Sequence, residues 1–560
     1  MALKLNEGQK KACDSLKNFL KSEDKLFLLT GSAGTGKTSV IVNCLAELKK
    51  SKIVFSATTN QAVSVIEKML DKRLENNKVL RKRIKCVTIH KLLKIKRKID
   101  KDGNEMFLTT IDDESPLKLI TSGSIYTYDI IVIDEVSMMS KELCEKIITL
   151  ADKINGKIIF IGDRAQLPPI NEDTSYIFKV NIPQYELTQV MRNGGNILNL
   201  SNQTRNLVIN NKKVSFKKVD DGKSVNVYRD KNEMVNHYIE LAKEHIERKE
   251  VKLPIVLTYT NKNCGEINNK VRNVLFNNPK NKFVAGDIVV FNKFYNLKTN
   301  TDKYYTSQQA NITGAEVSNH KIDNINFQSI LNIARTVVQT DHETVQTTIP
   351  EHLKDEICSI CITKKKEKCV AATVCNHVFC KKCLNAWFKI SKTCPMCRFD
   401  FANNNLTIKD DKKLTDLIDK LRKYSDNKSY KTWLLLVSNK DNIITIHDDD
   451  LAKYNSDVEA IKGYLVEIKK HIDKKYKNDL AIMNTVLERL WDYYYNHFID
   501  QFADIVYGYS ITTHKSQGST YPNVFIDMQD IIMNNRDEQN SHKCLYTAIT
   551  RSSESIKLFY

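Results

Sequence analysis

An apolar run, Lys25-Leu-Phe-Leu-Leu-Thr30, enters a glycine-rich turn, Gly31-Ser-Ala-Gly-Thr-Gly-Lys-Thr38. It leaves through Ser39-Val-Ile-Val-Asn-Cys-Leu-Ala-Glu-Leu48. The first stretch has the composition of a strand buried on both faces, the last that of a helix. Gly31, Gly34 and Gly36, with Thr35 between them, let the backbone curl so that its amides point at phosphates. The helix N-terminus adds the positive end of its dipole. Lys37 is then placed to reach the β- and γ-phosphates of a nucleotide, and Thr38 to bind Mg²⁺. The order is strand, glycine-rich turn, helix, as an α/β fold contains.

A phosphate-binding turn needs a second group on the metal. Tyr128-Asp-Ile-Ile-Val-Ile-Asp-Glu135 is an apolar strand ending in two carboxylates. Ligands of open α/β sheets bind at the carboxyl ends of the strands. Asp134 is therefore expected to hold Mg²⁺, directly or through water, and Glu135 to act as the general base on the attacking water. The alternative is that this pair merely caps the following helix. A third strand, Lys157-Ile-Ile-Phe-Ile161, ends in Gly162-Asp-Arg-Ala-Gln-Leu-Pro-Pro169, where Gln166 can sense a γ-phosphate or its water without adding charge. A fourth, Lys52-Ile-Val-Phe-Ser56, leads to Ala57-Thr-Thr-Asn-Gln61. Strands alternating with helices imply a parallel, helix-covered sheet.

With 560 residues, 41% of them hydrophobic, the chain can bury several cores. It has no apolar run of about 18 residues, so no membrane-spanning helix is expected. Its first residues lack the pattern of a secretory signal. A net charge of +19 favours a polyanionic partner, most simply nucleic acid, unless it reflects A/T-rich coding alone. Of the 14 cysteines, eight fall between Cys358 and Cys397. The scattered remainder point to a reducing compartment inside a cell, with cytoplasm and nucleus both open. The cluster points to metal. Cys358, Cys361, Cys375, His377, Cys380, Cys383, Cys394 and Cys397 form four pairs, enough for two tetrahedral Zn²⁺ sites; Cys369 is the odd thiol.

The order of these motifs resembles a superfamily 1 helicase of the RecD-like and Dda-like branch. Leu5-Asn-Glu-Gly-Gln9 is similar to the adenine-reading motif, which implies that Gln9 faces the base. Ser56-Ala-Thr-Thr-Asn60 and Thr88-Ile-His-Lys-Leu92 resemble motifs that grip single-stranded DNA. Val132-Ile-Asp-Glu-Val-Ser-Met138 and Gly162-Asp-Arg-Ala-Gln-Leu-Pro-Pro169 resemble the second and third motifs. Leu187-Thr-Gln-Val-Met-Arg192 resembles the fourth, which implies a γ-phosphate role for Arg192. Tyr509-Ser-Ile-Thr-Thr-His-Lys-Ser-Gln-Gly518 and Leu545-Tyr-Thr-Ala-Ile-Thr-Arg551 resemble the last two. They imply that Gln517 and Gly518 lie near the γ-phosphate and that Arg551 is an arginine finger.

The cysteine block resembles a C3HC4 RING finger. In that family the pairs interleave, which implies one Zn²⁺ on Cys358, Cys361, Cys380 and Cys383 and another on Cys375, His377, Cys394 and Cys397. Ile360, Trp387, Pro395 and Arg398 match positions that contact a ubiquitin-conjugating enzyme or orient ubiquitin. The alternative is a structural zinc module without ligase activity.

The expected architecture is two RecA-like P-loop domains with a small β-barrel insertion and a zinc-binding RING insertion. Domain 1A spans 1–185, with a small 1B insertion near 91–124, where the family carries a strand-splitting hairpin. Domain 2A comprises 186–275 and 500–560. An inserted 2B region, 276–350 and 403–499, holds an SH3-like barrel and a helical part, and the RING occupies 351–402. Trp491-Asp-Tyr-Tyr-Tyr495 is read as helix-packing core in preference to a base-stacking surface. The basic runs Arg81–Lys85 and Lys94–Lys98 either contact nucleic acid or are solvated faces.

The implied cofactors are ATP, Mg²⁺ and two Zn²⁺. The implied partners are single-stranded or tailed duplex DNA and a ubiquitin-conjugating enzyme, with no membrane. Competing readings are a ubiquitin ligase whose ATPase anchors it on nucleic acid, and an RNA helicase. The fusion of the two modules in a Lys/Asn-rich chain suggests a large DNA virus as source.

Overall fold

The computed structural model describes residues 5–111, 123–189, 195–296, 303–322 and 411–560, less short stretches at 46–47, 49, 211–213, 215–218, 249–252, 439–440, 476–479 and 536. Between 358 and 387 it describes scattered residues of the cysteine block.

The first sheet is parallel. Its strands run in the order Ile84–Thr88, Ile53–Ala57, Ile130–Asp134, Lys157–Gly162, Leu26–Gly31 and Gln184–Leu187. The central strands are buried along almost their whole length, as apolar runs without alternation demand. One face packs Ala12, Leu16, Val40, Ile41 and Ile66 from three helices, and the other packs Ile89, Leu92, Cys144 and Ile147. The helices after Gly31, Ala57 and Asp134 all begin at the carboxyl edge, so the motifs they carry converge there.

The second sheet is also parallel, in the order Ser510–Thr512, Ile255–Thr258, Tyr521–Asp527, Ser552–Phe559 and Val225–Tyr228. Two parallel helix-covered sheets are the α/β architecture expected from the alternating pattern. Between their strands lies an antiparallel five-stranded sheet: Asp441–Ile446, Ser429–Val437, Gln309–Lys321, Ile288–Phe291 and Ile505–Tyr507. Its two outermost strands form no ladder among the described residues, but Ala503 N, beside the last strand, donates to Ile444 O of the first at 2.7 Å. Its last strand lies beyond residue 499, where the sequence reading ended the insertion.

The helical part of the insertion spans Lys412–Ser425, Asp448–Lys475 and Leu480–Tyr494 around Ile461, Leu465, Leu490 and Trp491. Trp491 is 2% exposed, as the core reading of that aromatic cluster expects. Cys13 and Cys44 form a disulfide, which an expectation of reduced scattered thiols did not include. Cys86, Cys144, Cys264 and Cys544 are free thiols. No described helix is long and apolar enough to cross a membrane.

Candidate nucleotide site, zinc site and strand-facing surface

The phosphate loop begins where strand Leu26–Gly31 ends. Gly34 and Gly36 have φ of 82° and 80°, the left-handed region that a side chain would disfavour. A Cβ on Gly36 would also lie 2.7 Å from Gln9 Nε2. Gln9 is buried and its Nε2 donates to Thr35 O at 3.0 Å. Its backbone and side chain close a capping box with Asn6. Gln9 thus sits against the loop, next to the turn expected to hold phosphate. Thr35 Oγ1 donates to Ser32 O at 2.9 Å, which tightens the same turn.

Lys37 Nζ donates to Gly31 O at 2.7 Å and to Ser32 O at 3.0 Å, so its charge rests on carbonyls of its own loop. Thr38 Oγ1 donates to Asp134 Oδ2 at 3.2 Å, joining the two expected Mg²⁺ ligands across adjoining elements. Burial, and then the neighbouring Glu135 carboxylate, push Asp134 up to about 6. Lys37 and the Thr38 bond oppose that rise. Glu135 has φ 54°, and its amide donates to Asp134 Oδ1 at 2.7 Å. Gln166 is 6% exposed, and its Oε1 is buried without a hydrogen-bond partner. An unmet acceptor inside a protein is costly, so this atom suits a donor that comes and goes, such as a water. The hard oxygens of Thr38 and Asp134, the amide-rich loop and the unmet Gln166 acceptor fit a magnesium nucleotide.

The second lobe closes over this edge. Gln517 is buried and its Nε2 donates to Leu167 O at 3.4 Å. A Cβ on Gly518 would lie 3.1 Å from Ala62 Cβ and 3.4 Å from Thr59 Oγ1, so the second lobe touches the helix after Thr59 there. Arg551 is 4% exposed and donates to Thr547 O, Ser519 O and Thr550 Oγ1. Those partners all belong to its own lobe, so Arg551 does not touch Lys37. Arg192 lies outside the described residues.

Sequence reasoning missed the side chains that join the lobes. Tyr546 Oη donates to Asp163 Oδ2 at 2.6 Å, and the amide of Ala33 in the phosphate loop donates to Tyr546 Oη at 3.4 Å. Leu167 N donates to Thr547 Oγ1 at 3.0 Å, and Lys543 Nζ donates to Asp173 O. A carboxylate directly after an apolar strand, Asp163, was a signal as good as Gln166 three residues on.

The strand-gripping candidates share one edge. Ala57 and Thr88 are register partners on adjacent strands, and Thr59 and Thr88 cap the helices that follow. Beyond them, Ile95–Ile99 pairs with Glu105–Thr109 as the expected hairpin. Phe107 on it is 59% exposed and meets the His90 ring edge-on at 6.4 Å. Of the basic runs, Arg81 is taken up by Asp71 at 2.6 Å, and Arg97 by Asp500 at 2.9 Å and Glu105 at 2.8 Å. Both arginines serve structure.

The sulfurs of Cys358, Cys361, Cys380 and Cys383 all lie within 4.8 Å of one another. A tetrahedral Zn²⁺ with Zn–S of about 2.3 Å needs sulfurs about 3.8 Å apart, so the quartet fits. The first cysteine pair thus meets the third, as interleaving implies. Cys380 N donates to Cys358 Sγ at 3.3 Å. Burial and the neighbouring thiols push Cys380 up to about 12, a penalty that a bound dication reverses. Ile360 packs against buried Phe379 and Leu384. Cys375, His377, Cys394, Cys397, Cys369, Pro395 and Arg398 lie outside the described residues, so a second site is not seen.

Three family models match: an AAA domain over residues 4–229, a UvrD-like helicase C-terminal domain over 507–558 and a Ring finger domain over 356–398. The chain is similar to ATP-dependent DNA helicase dda of Enterobacteria phage T4. They are 28% identical over 300 residues, covering 51% of this chain and 60% of that one. The matched segments are those of a superfamily 1 helicase, similar to the RecD-like and Dda-like branch, with a RING finger segment between them. The chain is therefore an ATP-dependent hydrolase. Uncharacterized protein R530 of Acanthamoeba polyphaga mimivirus is 27% identical over 570 residues, 98% of this chain and 99% of its own length. The RING segment is similar to E3 ubiquitin-protein ligase RNFT1 of Homo sapiens, 43% identical over 44 residues, 8% of this chain and 10% of that one.

Proposed function

We propose that this helicase moves along single-stranded DNA in the 5′-to-3′ direction and splits duplex DNA at the hairpin Ile95–Thr109, using ATP and Mg²⁺. The observation that carries the reading is the closure of Gln517 and Gly518 onto Leu167 and Ala62, at the edge where Thr38 meets Asp134. A nucleotide bound there is enclosed by both lobes, so its hydrolysis is coupled to their separation. Lys37 leaves its carbonyl partners for the β- and γ-phosphates, and Thr38 and Asp134 would hold the ion. A bound Mg²⁺ would supply positive charge against the phosphates. Glu135 takes the proton of the attacking water, Gln166 Oε1 orients that water, and Arg192 and Arg551 stabilise the charge that develops. Gln9, bonded to the loop at Thr35, links base recognition to phosphate binding.

Motion of the lobes must reach the hairpin. Support comes from its turn, which is bonded to the inserted helices. Trp491 Nε1 donates to Lys101 O at 3.2 Å, Tyr495 Oη donates to Gly103 O at 3.1 Å, and Arg97 lies 4.6 Å from the Tyr495 ring. A hairpin so braced can resist a duplex pushed against it. The direction rests on the likeness to the Dda-like branch. Strand displacement on substrates with a 5′ or a 3′ tail tests it. Unwinding from the 5′ tail alone is expected, and unwinding from the 3′ tail alone overturns the polarity. ATPase stimulation by single-stranded DNA well above that by RNA is expected; the reverse makes it an RNA helicase.

For the RING we propose two Zn²⁺ ions, the second on Cys375, His377, Cys394 and Cys397, and ligase activity with a ubiquitin-conjugating enzyme inside a cell. Ile360, half-buried on the core of Phe379 and Leu384, supports a docking face at that position. Autoubiquitination that is lost in Ile360→Ala is expected; equal activity in that variant contradicts it.

A further inference from the structure

Tyr546 lies in the helix Glu538–Ile549, two residues from whose end stands Arg551. Its side chain is fully buried, and its hydroxyl stands where three functional pieces meet. The first is the phosphate loop, through Ala33 N at 3.4 Å. The second is the loop of Gln166, through Asp163 Oδ2 at 2.6 Å. The third is the helix that leads to Arg551.

Asp163 is held in turn. Its Oδ1 accepts from Ala165 N at 3.1 Å, and Arg205 Nε lies 3.7 Å from the same oxygen. Arg205 also pairs with Glu186 at 2.8 Å, at the edge strand beside the phosphate loop. Asp163 is 1% exposed, so a buried carboxylate is shared by a tyrosine from one direction and an arginine from another. Burial and the Asp163 charge hold the Tyr546 hydroxyl well above its ordinary value, so it remains a donor across the working pH range. The next residue repeats the link, since Thr547 Oγ1 accepts from Leu167 N one position beyond Gln166.

We infer that Tyr546 is a positioning residue whose hydroxyl ties the phosphate loop and the Gln166 loop to the Arg551 helix, so that lobe closure aligns Gln166 and Arg551 on one γ-phosphate. The inference rests on the ATPase reading given above. Tyr546 does not reach the nucleotide in this account. It makes the two lobes register on closing. Without the hydroxyl, the lobes still bind ATP but close out of alignment, so turnover suffers more than affinity.

The test uses the full chain with Tyr546→Phe, which keeps the ring and removes the bond. ATPase is measured with and without single-stranded DNA, beside Lys37→Ala. The inference predicts that DNA-stimulated kcat falls by about tenfold while KM for ATP stays within about threefold. It also predicts that the ratio of stimulated to basal rate falls, a readout that loss of folded protein would not move. Thr547→Val, which removes the second link, should move both quantities the same way, and Thr547→Ser should restore them. If Tyr546→Phe does not fold, the two Thr547 variants decide alone. Unchanged kcat and stimulation in Tyr546→Phe, or a loss confined to KM, overturns the inference. Should Lys37→Ala keep full activity, the ATPase reading fails instead, a result separable from the first.

Discussion

At the site, two cations rest on carbonyls of their own lobes: Lys37 on Gly31 and Ser32, Arg551 on Thr547 and Ser519. In these bonds only the donor is charged, so a phosphate, which adds ion–ion attraction, outcompetes the carbonyls. Asp134 adds a pH signature. Its folded pKa, about 6, lies above the ordinary 3.8. A raised carboxyl pKa means that the folded state binds more protons between those values, so stability falls as pH rises from about 4 to 6 and stays reduced above that. Asp134→Asn should therefore raise Tm of the nucleotide-free protein at pH 7, change it little at pH 4, and abolish Mg²⁺-dependent hydrolysis. An equal Tm change at both pH values would contradict the burial argument. Lys37, Thr38, Asp134 and Gln166 were legible in sequence because each ends an apolar strand or follows a glycine turn. Tyr546 and Arg205 were not, because their partner Asp163 lies hundreds of positions away from one and across a lobe boundary from the other.

Among the elements, the hairpin Ile95–Thr109 shows most plainly how distant segments define a function. Gly103 has φ +81°, and a Cβ there would lie 2.6 Å from the Trp491 ring. Gly103→Val combines a left-handed backbone, which costs a side chain about 1–2 kcal/mol, with that clash. The turn should then leave the inserted helices. The expected outcome is unwinding reduced by about tenfold or more while DNA-stimulated ATPase stays within about twofold, since the phosphate site is untouched. Equal loss of both would mean that the hairpin serves folding alone. Four central strands of the first sheet, Leu26–Gly31, Ile53–Ala57, Ile130–Asp134 and Lys157–Gly162, were legible from continuous apolar runs, whereas most strands of the second sheet were not read from sequence. For the inserted antiparallel sheet, alternation along Gln309–Lys321 reports one buried face but not how the edges meet.

For the whole molecule, the RING hangs between two ends that the fold already holds together. Lys321 pairs with Ser429, and Ile322 N donates to Lys428 O at 2.9 Å. Ile322 also joins the core with Leu414, Ile418 and Leu421 of the helix that follows the RING. Zinc removal should therefore unfold the RING and spare the motor. Replacing residues 326–408 with a short Gly/Ser linker should leave DNA-stimulated ATPase within about twofold and abolish any ubiquitin transfer. A motor that fails without the RING would show that the two modules share a fold.

Coupling of hydrolysis to lobe motion requires one triphosphate to be shared by Lys37 from one sheet and Arg551 from the other. The most direct measurement is single-turnover ATP hydrolysis by Arg551→Ala beside a fluorescent-nucleotide binding titration. The predicted result is affinity within about tenfold of the unaltered chain and a hydrolysis step slowed by about 10³-fold or more, the scale of a lost arginine finger. Hydrolysis at the unaltered rate, with nucleotide bound, would contradict it.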